Sequence, residues 1–177
     1  MKTSPLNVTF QSLNRFVKLI LILAMNLLIL AQANASGSFN INPHEQPDVC
    51  NPNIPQIRVT VSGVGVGGVL NVELYDNPDY FLFKKGRLRK TRTPAIQGKQ
   101  KVCMNLAQPG TYAVAVYQDM DGNRKLKKQW NQLPLEPFGL SNNPEQRFGF
   151  PKFSDSAFTT GRFGADITID LKQPLNP

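Results

Sequence analysis

Histidine occurs once in these 177 residues and cysteine only twice. His44 stands between Pro43 and Pro47 in a stretch without apolar period, a poor seat for a catalytic base. Ser-His-Asp, Cys-His and histidine-based metal chemistry are therefore disfavoured. There is no C-x-x-C pair and no histidine cluster, which argues against a redox or zinc role for Cys50 and Cys103. Helical periodicity of 3.6 residues is nowhere sustained. The main apolar run, Leu19 to Ala31 broken only by Asn26, is shorter than the roughly 20 residues a spanning helix needs.

That run belongs instead to a secretory signal. Lys2, Arg15 and Lys18 give a basic start without an acid, and Ala33-Asn34-Ala35 offers the small-x-small pattern a signal peptidase needs. Residues 1–35 are thus expected to be cleaved, sending the protein to the periplasm or beyond with no stable membrane span. The residue directly after the cut is Ser36, not a cysteine that could carry a lipid. The remaining 142 residues (177 − 35) suit one domain, with a charge of about +5 once three signal cations are taken from +8. In an oxidising compartment Cys50 and Cys103 are expected to pair.

Residues 36–55 hold Pro43, Pro47, Pro52 and Pro55 and read as an extended leader, tethered at Cys50; the domain follows from 56 to 177. Apolar and polar residues alternate in Ile57–Val61, Val69–Tyr75, Lys101–Leu106 and Asp166–Lys172, the period of half-buried strands. Thr111–Tyr117 is apolar on both faces and so central, its alanines implying a close covering layer. Gly63 to Gly68 matches G-x-G-x-x-G, but a strand follows where the nucleotide fingerprint needs a helix. It reads as a hairpin connection between two antiparallel strands. Lys101–Leu106 points Val102, Met104 and Leu106 inward and Cys103 outward, so the leader should lie over that strand. The one helical candidate is a turn from Ser154 to Phe158, with Ser154 as N-cap. An all-β, single antiparallel β-sandwich with a long aromatic loop is expected.

Six cations lie together as Lys84, Lys85, Arg87, Arg89, Lys90 and Arg92. Such a run can meet phosphate, lipid head groups or acidic polysaccharide. With no aromatic side chain interleaved from Lys84 to Arg92 it does not suit nucleic acid, and it reads equally as a solvated loop.

Asp119, Asp121 and Asn123 put side-chain oxygens at alternate positions, the spacing by which a calcium loop folds its first ligands onto one ion. Arg124 stands where such loops have glycine, Trp130 where they have a bidentate Glu, and Lys125, Lys127 and Lys128 oppose a cation. The other reading is a turn whose aspartates cap their own backbone. From Leu133 to Phe163 the chain holds Phe138, Phe148, Phe150, Phe153, Phe158 and Phe163. These rings either cap the sandwich as a satellite core or line a groove, with Glu136, Asn142, Asn143 and Arg147 as polar contacts beside Phe138 and Phe148.

The succession P-G-T-Y-A-V-A-V-Y-Q-D-M-D-G-N-R-K-L, L-P-L-E-P-F-G-L-S-N-N and F-G-F-P-K-F-S-D-S-A-F resembles the DUF2141 family of uncharacterised exported bacterial proteins, across about Ile57 to Leu171. The resemblance implies a prealbumin-like or immunoglobulin-like sandwich and no known activity. Where this chain has Arg124 and Lys127 the family tends to have Gly and Asp. Three functions follow as expectations. The first is a non-catalytic module binding an envelope or extracellular partner, peptide or glycan, through the loop 133–163. The second is a domain stabilised by calcium, the one cofactor the sequence suggests. The third is a glycan hydrolase using carboxylates such as Asp121 and Glu136.

Overall fold

The computed structural model describes residues 39–130, 132–145 and 150–174. The expected signal peptide, 1–35, and the groove candidates Arg147 and Phe148 lie outside the described residues. The strands are β1 (Gln56–Val64), β2 (Val69–Tyr75), β3 (Arg87–Pro94), β4 (Gly98–Asn105), β5 (Thr111–Asp119), β6 (Phe138–Leu140), β7 (Phe158–Thr159) and β8 (Gly164–Asp170). One sheet runs β4-β1-β8; the other runs β3-β2-β5-β6, with β7 also on β5. Between them lie the inward residues of the alternating stretches: Ile57, Val59 and Val61, Leu70, Val72 and Leu74, Val102 and Met104, Val114 and Val116, and Ile169. Each is almost fully buried. At about 1.5–3 kcal/mol per buried aliphatic side chain, this layer is the main drive to fold. The all-β sandwich is thus as expected from the alternation, but it is not wholly antiparallel, because β8 joins β1 in parallel.

Three local expectations are corrected. The glycine-rich stretch is no hairpin, because β1 and β2 belong to different sheets: both edges of β1 are taken, by β4 antiparallel and by β8 in parallel. The glycines instead carry the chain over one end of the sandwich. The Gln118 side chain holds them there, accepting from Gly65 N–H (2.8 Å) and donating to the carbonyls of Gly65 (3.0 Å) and Gly67 (2.6 Å). Gly68, at φ 74°, has no room for a side chain, since a Cβ would sit 2.5 Å from the Asp119 carbonyl oxygen. Second, the basic run is neither a free patch nor a solvated loop: from Arg87 onward it is β3, paired along its length with β2. Third, the helical turn spans Phe153–Ser156 with Lys152 at the cap and no side-chain cap bond, so Ser154 is inside the turn rather than before it.

The leader is strapped to the sandwich in one compact unit, Phe39–Pro177. Asp48 N–H donates to the Cys103 carbonyl (2.9 Å) on the open edge of β4, and the Cys50–Cys103 disulfide closes the strap. The Asp48 carboxylate accepts from the Asn105 N–H (2.6 Å) on β4 and pairs with Arg89 on β3, so one side chain joins the edges of the two sheets. On the outer face of the smaller sheet, buried Arg58 forks onto Asp166 (2.8–3.0 Å).

Both aspartates are held below the ordinary aspartate range. Burial pushes Asp48 up, but the Arg89 and Asn105 donors outweigh it; for Asp166 the Arg58 hydrogen bond is the main cause. A folded pKa depressed below the unfolded value gives stability that is complete above that value and lost as pH falls through the folded pKa. Asp166 is mostly solvent-exposed, so screening leaves it the smaller share. The melting temperature is expected to fall as pH drops from about 5 towards 2. An Asp48→Asn variant should start lower and show a shallower fall. If its profile merely parallels the wild type, the strap is not the acid-sensitive element.

Candidate functional site

The outer face of the larger sheet is buried although it is polar. Residues opposite the core on β2, β3 and β5 put Asn71, Glu73, Arg87, Arg92, Tyr117 and Asp119 there, and nearly all are inaccessible. Water being excluded, each charge has a counterpart. Glu73 pairs with Arg87 (2.9 Å), lies near Lys90 (3.7 Å) and accepts from the Tyr75 hydroxyl (2.7 Å). Lys90 donates to the Tyr117 hydroxyl (2.9 Å). Burial lowers the Lys90 ammonium and raises the Tyr75 and Tyr117 phenols. Arg92 donates to Asn71 Oδ1 (3.1 Å), Asp119 Oδ2 (3.2 Å) and the Asn40 carbonyl of the leader (2.9 Å). Four of the six clustered cations therefore serve the fold.

Asp119 ends β5 at the rim of this layer. Its Oδ2 also accepts the Arg124 N–H (2.8 Å), while its Oδ1 is buried without a hydrogen-bond partner. Asp121, exposed, accepts from the backbone N–H (3.1 Å) and side-chain amide (2.8 Å) of Asn123. The Asn123 backbone bond is the first cause that holds the Asp121 carboxyl below its usual range. Asn123 Oδ1 accepts the Lys125 N–H (2.8 Å), so this side chain shapes the turn. Glu136 comes back from the far side of the loop, almost fully buried, and accepts from Met120 N–H (2.8 Å) and Lys127 N–H (2.9 Å). One carboxylate oxygen each of Asp119, Asp121 and Glu136 lies within 4.8 Å of the other two. Two of the three expected cation ligands are thus brought together, and Glu136, sixteen residues after Met120, joins them.

The expected groove residues have other engagements. Glu136 braces the acidic turn. Asn142 donates to the Ala157 carbonyl (2.8 Å), and Asn143 bridges β8 through the Thr168 carbonyl (3.1 Å) and the Asp170 N–H (2.8 Å). Both asparagines have positive φ, 64° and 47°, which Asn tolerates better than most residues. Phe138, half-buried on β6, pairs with Tyr117 and bridges to Lys172.

The aromatic loop divides between the two roles open to it. Phe153 packs edge-on against Phe81, which meets Tyr75 in the same way, and all three join Ala113, Ala115 and Leu140 in a second core. The small alanines of β5 admit this layer. Phe150 instead stacks on Phe83, with centroids 5.6 Å apart and planes 23° from parallel, and each ring is 50% exposed. They border an open cleft of about 480 Å³ floored by Phe81 and Phe153, with Pro78 and Pro151 on its walls. Lys152 lines it, Lys128 reaches over Phe150 (6.0 Å) and Lys85 over Tyr80 (3.9 Å). From its sequence the apolar run Tyr80-Phe81-Leu82-Phe83 is expected to pack back on the body; Phe81 does so, but Tyr80 and Phe83 stay exposed, because a turn this short cannot bury four large side chains.

The family model for an uncharacterised protein conserved in bacteria, DUF2141, matches residues 59–168. No curated protein and no solved structure matches the chain.

Proposed function

We propose that this chain, which belongs to the DUF2141 family, is an exported recognition module without catalytic chemistry of its own, holding an extended peptide segment of an envelope or extracellular partner in the cleft between residues 78–83 and 150–154. The stacked Phe83–Phe150 pair carries the reading. Two half-exposed rings beside a cleft forgo burial that a purely structural loop would take, and such surfaces mark binding sites. Lys152 in the lining, with Lys85 and Lys128 over the neighbouring rings, outnumbers Asp79, the one acid of the lining, and favours acidic residues in the ligand. A paired disulfide suits an oxidising compartment, and no helix among the described residues is long and apolar enough to cross a membrane. Both Glu136 oxygens accept backbone amides, which favours a structural or ligand role over proton transfer, and hence recognition over hydrolysis.

Selecting a displayed random-peptide library on the purified protein tests this. Apolar and acidic sequences are expected to be enriched, and Phe83→Ser with Phe150→Ser should reduce their binding at least about tenfold, as for truncated aromatic hot spots, with the melting temperature nearly unchanged. Enriched peptides that bind the double variant equally well would refute the cleft. Binding of glycans instead, lost in the same variant, would keep the site and overturn the peptide.

A further inference from the structure

We infer that the acidic turn is a calcium site formed by Asp119, Asp121 and Glu136, independent of the aromatic cleft. A cluster of carboxylates alone does not make a site, since exposed acids are often found together. Here two of the three are buried, and Asp119 Oδ1 is buried without a hydrogen-bond partner. The same carboxylate contributes to the cluster in which one oxygen from each acid lies within 4.8 Å of the other two. Three like charges at this spacing in a partly dry pocket need compensation. Arg92, paired with Asp119 at 3.2 Å, offsets one of them, leaving about two for a divalent ion.

A spacing within 4.8 Å with one side open to solvent suits calcium, which tolerates varied geometry, better than magnesium, which does not. Calcium takes oxygens at 2.3–2.6 Å, so ligands across it stand up to about 5 Å apart, whereas magnesium at 2.0–2.1 Å demands about 4 Å and near-octahedral order. Asp121 keeps one side open to solvent for water ligands.

Two features that spoil a calcium loop in the sequence, Arg124 and Trp130, are offset in the structure. Arg124 adopts the positive φ, 71°, that a glycine would supply, and its guanidinium leaves for Glu45 and the Asn40 carbonyl of the leader. Lys125, Lys127 and Lys128 are exposed and none forms an ion pair with the three acids; the Lys127 charge still acts on Asp121, through solvent that screens it. Glu136 supplies from across the loop the carboxylate that Trp130 cannot.

Calorimetric titration of the full mature chain with calcium chloride, after chelator treatment, is the test. One saturable site per chain is expected, with a Kd on the order of 0.1–1 mM, the range of extracellular modules, and much weaker binding of magnesium. Asp121→Asn changes an exposed side chain, so the fold should persist; it is expected to weaken calcium at least about tenfold by removing one ligand charge. Asn123→Ala, which removes a positioning residue only, should weaken it less. The site is overturned if no saturable heat appears, if Asp121→Asn binds as tightly as wild type, or if magnesium binds equally well.

Discussion

Arg92→Ala is expected to destabilise the domain by about 3–5 kcal/mol, the cost of leaving one member of a buried ion pair uncompensated. Both partners are inaccessible, with side-chain exposures of 1% for Arg92 and 0% for Asp119. Truncation would leave the Asp119 charge without its guanidinium, and would also strip the donors from Asn71 Oδ1 and the Asn40 carbonyl. For a domain of this size the melting temperature should fall by roughly 10–20 °C. Two further variants separate charge from shape. Arg92→Met with Asp119→Leu removes the pair together and should recover much of the loss, because apolar residues of similar volume often replace buried pairs without cost. Arg92→Lys restores charge but not the planar fork that reaches three acceptors, and should fall between. A shift of only a few degrees in Arg92→Ala would mean that Asp119 is neutralised by something else. Repeating the melt with calcium would then say whether that is the cation, because a bound ion would stabilise the variant more than the wild type.

Replacing both half-cystines, Cys50→Ser with Cys103→Ser, is the second large effect. The bridge spans a sequence separation of 53. Closing such a loop restricts the unfolded chain by about 4 kcal/mol on the chain-entropy account. Cys103 is fully buried, so a hydroxyl there carries a further desolvation cost. The leader keeps other holds: Arg89 on Asp48, Arg124 on Glu45, and Gln56 clasping the backbone at Asn51 (2.9 Å) and Val49 (2.9 Å). The double variant is therefore expected to fold but to unfold roughly 10 °C or more lower, and wild type in reductant should behave alike. Limited proteolysis should then cut first between residues 39 and 55. Equal melting of oxidised and reduced protein would show that the side-chain clasps alone hold the leader.

The reach of the sequence is seen by setting Val72 beside Arg92. Val72 lies in a stretch whose alternation gathers its apolar side chains on one face, so its strand and its inward direction follow from local pattern. Arg92 follows Lys90 and Thr91 in a run that looks like a soluble loop. Its burial depends on Asn71 and Asp119, the latter on a strand that begins nineteen residues later, and on a leader carbonyl at Asn40. No local period encodes a charge that is buried because its counter-charge arrives from elsewhere in the chain.

The acidic turn divides in the same way. Asp119 and Asp121 were legible by their spacing, but Asn123 is spent on the turn and the third carboxylate is Glu136. The groove residues went the other way: Asn142 and Asn143, suggestive as polar contacts, are bonded to backbone, while Phe83 and Phe150 meet across 67 positions.

By itself the sequence determined the all-β class, the inward residues of the strands, the centrality of β5 and the pairing of the two cysteines, because each depends on local periodicity or on a count. Tertiary structure alone decided which strands are neighbours, that the glycine-rich stretch crosses between sheets, that the basic run is a strand with buried cations, and which acids and rings converge. Those depend on contacts between distant segments, whose free energy is realised only when all the partners are in place.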